Sequence, residues 1–167
     1  MKKDSGLEAR NTSVYAKNFV FAWEGAVITS QENKRNGSTK KEIRLASQPL
    51  LVDKAVEMLE SFIGKLPWKT GEFDFIKLAL IESFVNAAIH GNKQSPDKQV
   101  CLTMEMTEEH LIIMVADEGN GFVPRENQEM DLYSESGRGI LLIRASMDEV
   151  SYHDGGRCIR MVKKLPH

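Results

Sequence analysis

Apolar and polar positions fall into clear periods from Ile43 onward. Ile43-Arg44-Leu45-Ala46 alternates and predicts a short strand; Ser47 follows as a helix cap with Pro49 in the first helical turn. The helix is predicted to run to about Leu66. Its apolar residues Leu51, Ala55, Met58, Leu59 and Phe62 recur at three- and four-residue steps and so share one face. Pro67 blocks continuation, and a second helix is predicted from about Phe73 to His90, ended by Gly91-Asn92.

Further on, Gln99 to Met106 and Leu111 to Ala116 read as two strands of an antiparallel hairpin, joined through Thr107-Glu108-Glu109-His110. The polar, glycine-bearing stretch from Asp117 to Ser136 is too long for an ordinary connection and has the character of an active-site lid or a disordered segment. A short helix, Gly139 to Ser146, and a closing hairpin, Glu149 to Tyr152 with Cys158 to Lys163 around Asp154-Gly155-Gly156, complete the chain. The order β-α-α-β-β-lid-α-β-β separates helices from a mostly antiparallel sheet, which is an α+β sandwich.

Before Lys41 the pattern is weaker. Ser30 to Thr39 is polar, contains Gly37 and has no apolar period, so it reads as a linker. Residues 1–40 are therefore expected to be a basic, partly disordered N-terminal extension and linker, and 41–167 the folded domain. Within the extension, Val14 to Ile28 has enough apolar side chains to order as a strand or as a partner-contacting segment. A length of 167 residues with 41% hydrophobic residues suits one domain with a true core.

The net charge of −2 conceals an uneven distribution. Residues 1–41 carry eight Lys/Arg and four Asp/Glu, and the remainder 14 against 20. An acidic body is poorly suited to nucleic acid, whose affinity for proteins comes mainly from Lys and Arg neutralising phosphates. Cys101 and Cys158 show neither disulfide-framework nor zinc spacing and read as free thiols in a reducing compartment. The apolar run Phe19 to Trp23 is flanked by Lys17, Asn18 and Glu24, and no stretch is apolar enough for a membrane span, so a cytoplasmic location is expected.

Three elements carry candidate chemistry. On the second helix, which is apolar around most of its circumference, Glu82, Asn86 and His90 stand four apart and form one polar stripe. A buried carboxylate there must meet a partner, water or ligand. The stripe alone fits a solvated sheet edge equally well.

The second element, Asp117-Glu118-Gly119-Asn120-Gly121-Phe122, lies where a strand gives way to the long loop, with glycines that permit close backbone approach to a flat ligand. A calcium loop is excluded: Phe122 stands at the sixth position, Gly119 and Gly121 replace acids, and Gln128 stands at the twelfth. An ordinary turn fits this element by itself as well as a ligand site does.

The third, Ser136-Gly137-Arg138-Gly139-Ile140, opens a helix, where free N–H groups and the positive dipole end suit phosphate. The P-loop signature ending Gly-Lys-Ser/Thr is absent, so any nucleotide site is of another kind.

In this order and spacing the three elements resemble the N, G1 and G2 boxes of the GHKL (histidine-kinase-like) ATPase superfamily. Within it, Glu82-Ser83-Phe84-Val85-Asn86-Ala87-Ala88-Ile89-His90-Gly91, Gly137-Arg138-Gly139-Ile140-Leu141-Leu142-Ile143-Arg144 and Met147-Asp148-Glu149-Val150 look like the bacterial anti-sigma-factor serine kinases. The resemblance covers roughly Lys41 to Leu165. It implies a two-layer α/β sandwich of the GHKL (Bergerat) type, with a mixed, mostly antiparallel sheet and helices on one face.

It further implies ATP with Mg²⁺ as cofactor: Asn86 as metal ligand, Glu82 as general base on an incoming hydroxyl, and Asp117 accepting a hydrogen bond from the adenine amino group. Gly119 and Gly121 would lie against the base, Phe122 to Ser136 would form a short ATP lid, and Gly137 and Gly139 would sit at the phosphates. Arg138 is the best-placed phosphate contact and Arg125 the runner-up. Many relatives carry Thr near Arg160, where it helps hold adenine through water, so this chain departs from the pattern there. His90 is expected to be structural.

The implied activity is that of a cytoplasmic protein-serine/threonine kinase that phosphorylates a STAS-type anti-anti-sigma antagonist and sequesters a sigma factor or similar regulator. A homodimer is among the assemblies it allows, with no direct nucleic-acid or membrane partner. Two rivals differ in kind. A sensor histidine kinase fragment would need a phosphorylatable His before the ATP domain, and His90, His110, His153 and His167 all lie elsewhere. A non-catalytic binding switch, in which ATP only orders the lid, would have no use for the carboxylate of Glu82.

Overall fold

The computed structural model describes residues 16–23, 26–35, 37–121 and 135–166. Its strands are β1 (Ala16–Trp23), β2 (Ala26–Arg35), β3 (Ser38–Ala46), β4 (Gln99–Met106), β5 (His110–Ala116), β6 (Glu149–His153) and β7 (Cys158–Lys164); its α-helices are α1 (Val52–Ile63), α2 (Glu72–Asn86) and α3 (Glu135–Ser146). The strands form one sheet in the order β1-β2-β3-β4-β5-β7-β6. Every described pairing is antiparallel, which makes the sheet simpler than the mixed one expected.

Strand alternation generates the core. On β5, Leu111, Ile113 and Val115 are buried and the residues between them are not. Register then aligns apolar rows across the sheet: Ile43 opposite Leu102, Leu102 opposite Val115, and Val115 opposite Ile159. A second row runs from Met104 through Ile113 to Met161. The helices complete this core with Ala55, Leu59 and Ile63 from α1, Ile76, Leu80 and Phe84 from α2, and Ile143 from α3. The result is the anticipated α+β sandwich.

Residues 30–39 do not form the expected linker. Ser30 to Arg35 belong to β2 and Ser38-Thr39 to β3, paired from Thr29↔Arg44 to Arg35↔Ser38 around Gly37 at φ 78°. Backbone pairing needs no apolar period, so a polar hairpin is invisible to a hydrophobicity pattern. The boundary at Lys41 falls inside β3, and of the stretch Val14 to Ile28 the described residues form β1 and the start of β2.

Helix boundaries also move. Ser47 does not cap a helix: Pro49–Leu51 forms a 3₁₀ turn before α1, and Ser47 Oγ instead accepts a hydrogen bond from Asn92. The first helix ends at Ile63, before Leu66. The second stays α-helical only to Asn86, then widens into a π-turn over Ala87–Gly91, closed by Asn92 N–H to Ala87 O at 2.8 Å. The third begins at Glu135, ahead of both its glycines. The body of the expected lid, residues 122–134, and with it Arg125, lies outside the described residues.

Candidate functional site

A cleft of about 570 Å³ opens between the C-terminal part of α2 with its π-turn, α3, and the ends of β5 and β7. Val115, Ile140, Ile143 and Ile159 supply apolar walls, while Asn86, Asp117, Lys98 and Arg157 bring polar groups. A mostly apolar cavity with a few convergent polar groups suits a small organic ligand. The π-turn itself is a helix irregularity of the kind found often at functional sites.

Asp117 directly follows β5, and its N–H donates to Arg157 O at 2.9 Å. Its side chain is held by the Gly119 N–H, which donates to Oδ1 at 2.7 Å. Burial pushes the carboxyl above its ordinary 3.8, against the opposing pull of the Gly119 N–H and of the Arg157 and Lys98 charges. Asp117 is thus a partly desolvated acceptor at the cleft wall, suited to a ligand that brings an N–H donor.

The glycines act by close approach. A Cβ on Gly91 would overlap the Asp117 carboxylate, and one on Gly119 would strike the Gly91 carbonyl. Gly121, at φ 82°, would strike the Gly155 carbonyl. The turn Asp117–Gly121 therefore packs backbone to backbone against the end of the π-turn on one side and the β6–β7 connection on the other.

Gly139 has a different neighbour. A Cβ there would sit 2.5 Å from Glu82 Oε2 and 3.6 Å from Asn86 Nδ2. As the fifth residue of α3, Gly139 lies beyond the opening residues whose N–H groups lack intrahelical acceptors; Gly137, the third, lies among them. Arg138 is exposed in that first turn.

The structure thus brings Asn86, Asp117 and Gly121 to the cleft itself, sets Gly119 beneath Asp117, and meets Glu82 and Asn86 with Gly139. His90 also reaches the cleft, but among the described residues no group of three His, Cys, Asp or Glu is arranged to hold a metal.

Arg160 pairs with Met114 and Ser151, away from the cleft, with Nη1 3.9 Å from Glu149 Oε2. The neighbouring Ile159 is the β7 residue that lines the cleft.

Pattern reasoning missed Asn92. Fully buried, it donates from Nδ2 to Ser47 Oγ at 2.5 Å and to Gln99 O at 2.8 Å, and accepts at Oδ1 from the Glu118 N–H at 2.7 Å. Glu118 Oε2 accepts in turn from Gln99 N–H at 2.8 Å. Asn92 was legible only as a helix stop; a buried amide closing three segments has no local sequence signal.

The raised Asp117 pKa has a sign that can be tested. The folded state holds this proton more tightly than the unfolded chain, so a stability cost appears as pH rises above 3.8 and is complete beyond the raised folded value. Wild-type thermal midpoints, compared with those of Asp117→Asn, should fall relative to the variant as pH rises from 3.8, and level off once the raised folded value has been passed. A difference that stays flat or moves the other way contradicts the desolvated carboxylate.

A model of the histidine kinase-like ATPase domain matches residues 45–163, most of the chain. The serine-protein kinase RsbW of Bacillus subtilis is 27% identical over 142 residues, covering 78% of this chain and 89% of the relative. The RsbW of Bacillus licheniformis is 29% identical, covering 64% of this chain and 74% of its own. The anti-sigma F factor of Bacillus subtilis is 30% identical, covering 63% and 78%. With the sandwich fold and the glycine-lined cleft already in place, these matches show that the chain belongs to the histidine kinase-like (GHKL) ATPase domain family.

Proposed function

We propose that this chain is an ATP-dependent protein-serine/threonine kinase acting as an anti-sigma factor: it phosphorylates a Ser or Thr of a STAS-type antagonist and sequesters a sigma factor or similar regulator. The observation that carries the reading is the meeting of the Glu82 carboxylate and the Asn86 amide at Gly139, with Asn86 and Asp117 both lining the cleft. Relatives named serine-protein kinase and anti-sigma F factor support the activity and its setting. Among the described residues no helix is long and apolar enough to cross a membrane, in keeping with a cytoplasmic regulator.

In this reading adenine enters between Val115, Ile143 and Ile159, and its exocyclic amine donates to Asp117, whose partial desolvation strengthens that bond. Asn86, at the cleft, would offer Mg²⁺ a hard oxygen of the type it accepts. Bound there, Mg²⁺ would neutralise charge on the phosphates. The Gly137 N–H and the Arg138 guanidinium at the start of α3 supply positive potential for the same groups.

Glu82 then does the chemistry that the chain itself contributes. The acceptor hydroxyl oxygen bonds to the γ-phosphorus, the bond from that phosphorus to the β–γ bridging oxygen breaks, ADP leaves, and the hydroxyl proton passes to the Glu82 carboxylate. A binding switch would not require this proton acceptor.

Two substitutions separate the roles. Asp117→Ala removes the hydrogen bond to adenine and should weaken Mg-ATP binding roughly ten- to a hundredfold by calorimetry; unchanged affinity refutes the adenine contact. Glu82→Gln keeps the side chain's volume but cannot take the proton. With labelled ATP and a purified STAS-type antagonist, it should bind ATP normally while phosphotransfer falls about 10²–10⁴-fold. Undiminished transfer rules out Glu82 as base, and wild-type protein that binds the antagonist without ever phosphorylating it points to the switch.

A further inference from the structure

Among the described residues three large apolar side chains are exposed: Leu50 on the turn before α1, and Phe75 at 53% and Leu78 at 39% on α2. Phe75 and Leu78 precede Glu82 by seven and four residues. At 3.6 residues per turn all three lie on one side of the helix, while Ile76, Leu80 and Phe84 turn the opposite side into the core. The neighbouring Phe73 is covered by Lys77, whose ammonium sits 5.0 Å from the ring centroid; Phe75 remains exposed.

α3 continues this surface. Its start meets α2 at Glu82 through Gly139, and beyond its end Lys163 Nζ bridges Asp148 Oδ1 and Glu72 Oε1, each at 3.4 Å. The two helices therefore run side by side in opposite directions, and α3 adds the exposed Arg138 near Glu82 and Ala145 farther along. The combined surface is a broad pair of helices with an apolar strip leading to the proton acceptor.

We propose that Phe75 and Leu78 form the docking strip for the folded protein that carries the acceptor hydroxyl. This inference rests on the kinase reading of the site and adds where the protein substrate sits. Phe75 lies only about 10 Å from Glu82 along the helix axis. A specific protein interface covers roughly 800 Å² per partner, so a domain that delivers a hydroxyl to Glu82 from this side must also cover the strip. The strip lies on a helix face and not along a sheet edge that an extended peptide could join, which favours a folded domain with an apolar patch beside its acceptor residue. Exposed Phe and Leu at the centre of such a contact lose water only when the partner arrives.

The test uses Phe75→Ala/Leu78→Ala in the full chain, with Leu50→Ala as the control and a purified STAS-type antagonist as the probe. Labelled-ATP phosphotransfer is followed against antagonist concentration, and antagonist binding is titrated separately on Glu82→Gln protein with and without the strip substitutions. The double variant should bind Mg-ATP as the wild type does, reach a similar kcat at saturation, and show an antagonist KM and Kd raised about tenfold or more. Leu50→Ala should leave both constants in place.

Unchanged antagonist KM and Kd in the double variant overturn the docking strip, as does an equal rise in Leu50→Ala. Lost binding in a protein whose wild type never transfers phosphate sustains the strip while removing the kinase reading. Wild type that neither binds nor phosphorylates the antagonist overturns both.

Discussion

The buried side-chain amide of Asn92 fastens the end of the π-turn, one wall of the cleft, to three other segments of the chain. It joins the end of the π-turn to Ser47 after β3, to the Gln99 carbonyl at the start of β4, and to the Glu118 N–H beside Asp117. A buried amide left without one of these partners costs about 1–3 kcal/mol per orphaned group, so the three segments hold one another in register. The α2 widening that precedes Asn92 is part of the same arrangement, because its N–H reaches back to Ala87 instead of Ala88.

That fastening permits the contacts between glycine backbones. Gly119 lies on the Gly91 carbonyl, and Asp117 fills the space where a Gly91 side chain would be. The carboxylate is thereby pressed into a half-buried position and loses part of its hydration, which raises its pKa and leaves it in want of a donor. Between α2 and α3 the same device recurs: the missing side chain of Gly139 leaves room for Glu82 and Asn86 against α3. In the proposed reading, binding by Asp117 and proton transfer to Glu82 thus each rest on one close approach of backbone to side chain.

Much of this was legible in the sequence because it is written in periods. The alternation of Leu111, Ile113 and Val115 marked β5, and the four-residue step from Glu82 to Asn86 placed both on one side of α2. The β2–β3 hairpin escaped because polar strands are held by backbone pairing, to which side-chain hydrophobicity is blind. The role of Asn92 escaped because its partners lie 45, 7 and 26 residues away. Gly139 was read as a phosphate-approach glycine, yet what crowds it is the Glu82 carboxylate, a contact between helices that no local motif encodes. The departure at Arg160 leaves the cleft wall untouched, because the β7 residue that lines the cleft is Ile159 and in a strand one position reverses the face.

In the proposed reading, the cleft is a nucleotide site that recognises its base through a partly desolvated carboxylate. The most direct test of this is base selectivity: calorimetric titration of the full chain with Mg-ATP and Mg-GTP under identical conditions. Adenine presents an amino group to Asp117 where guanine presents a carbonyl oxygen, which would leave a buried acceptor facing an acceptor and cost about 1–3 kcal/mol. ATP should therefore bind at least about tenfold more tightly than GTP; equal affinity for the two nucleotides would contradict the account.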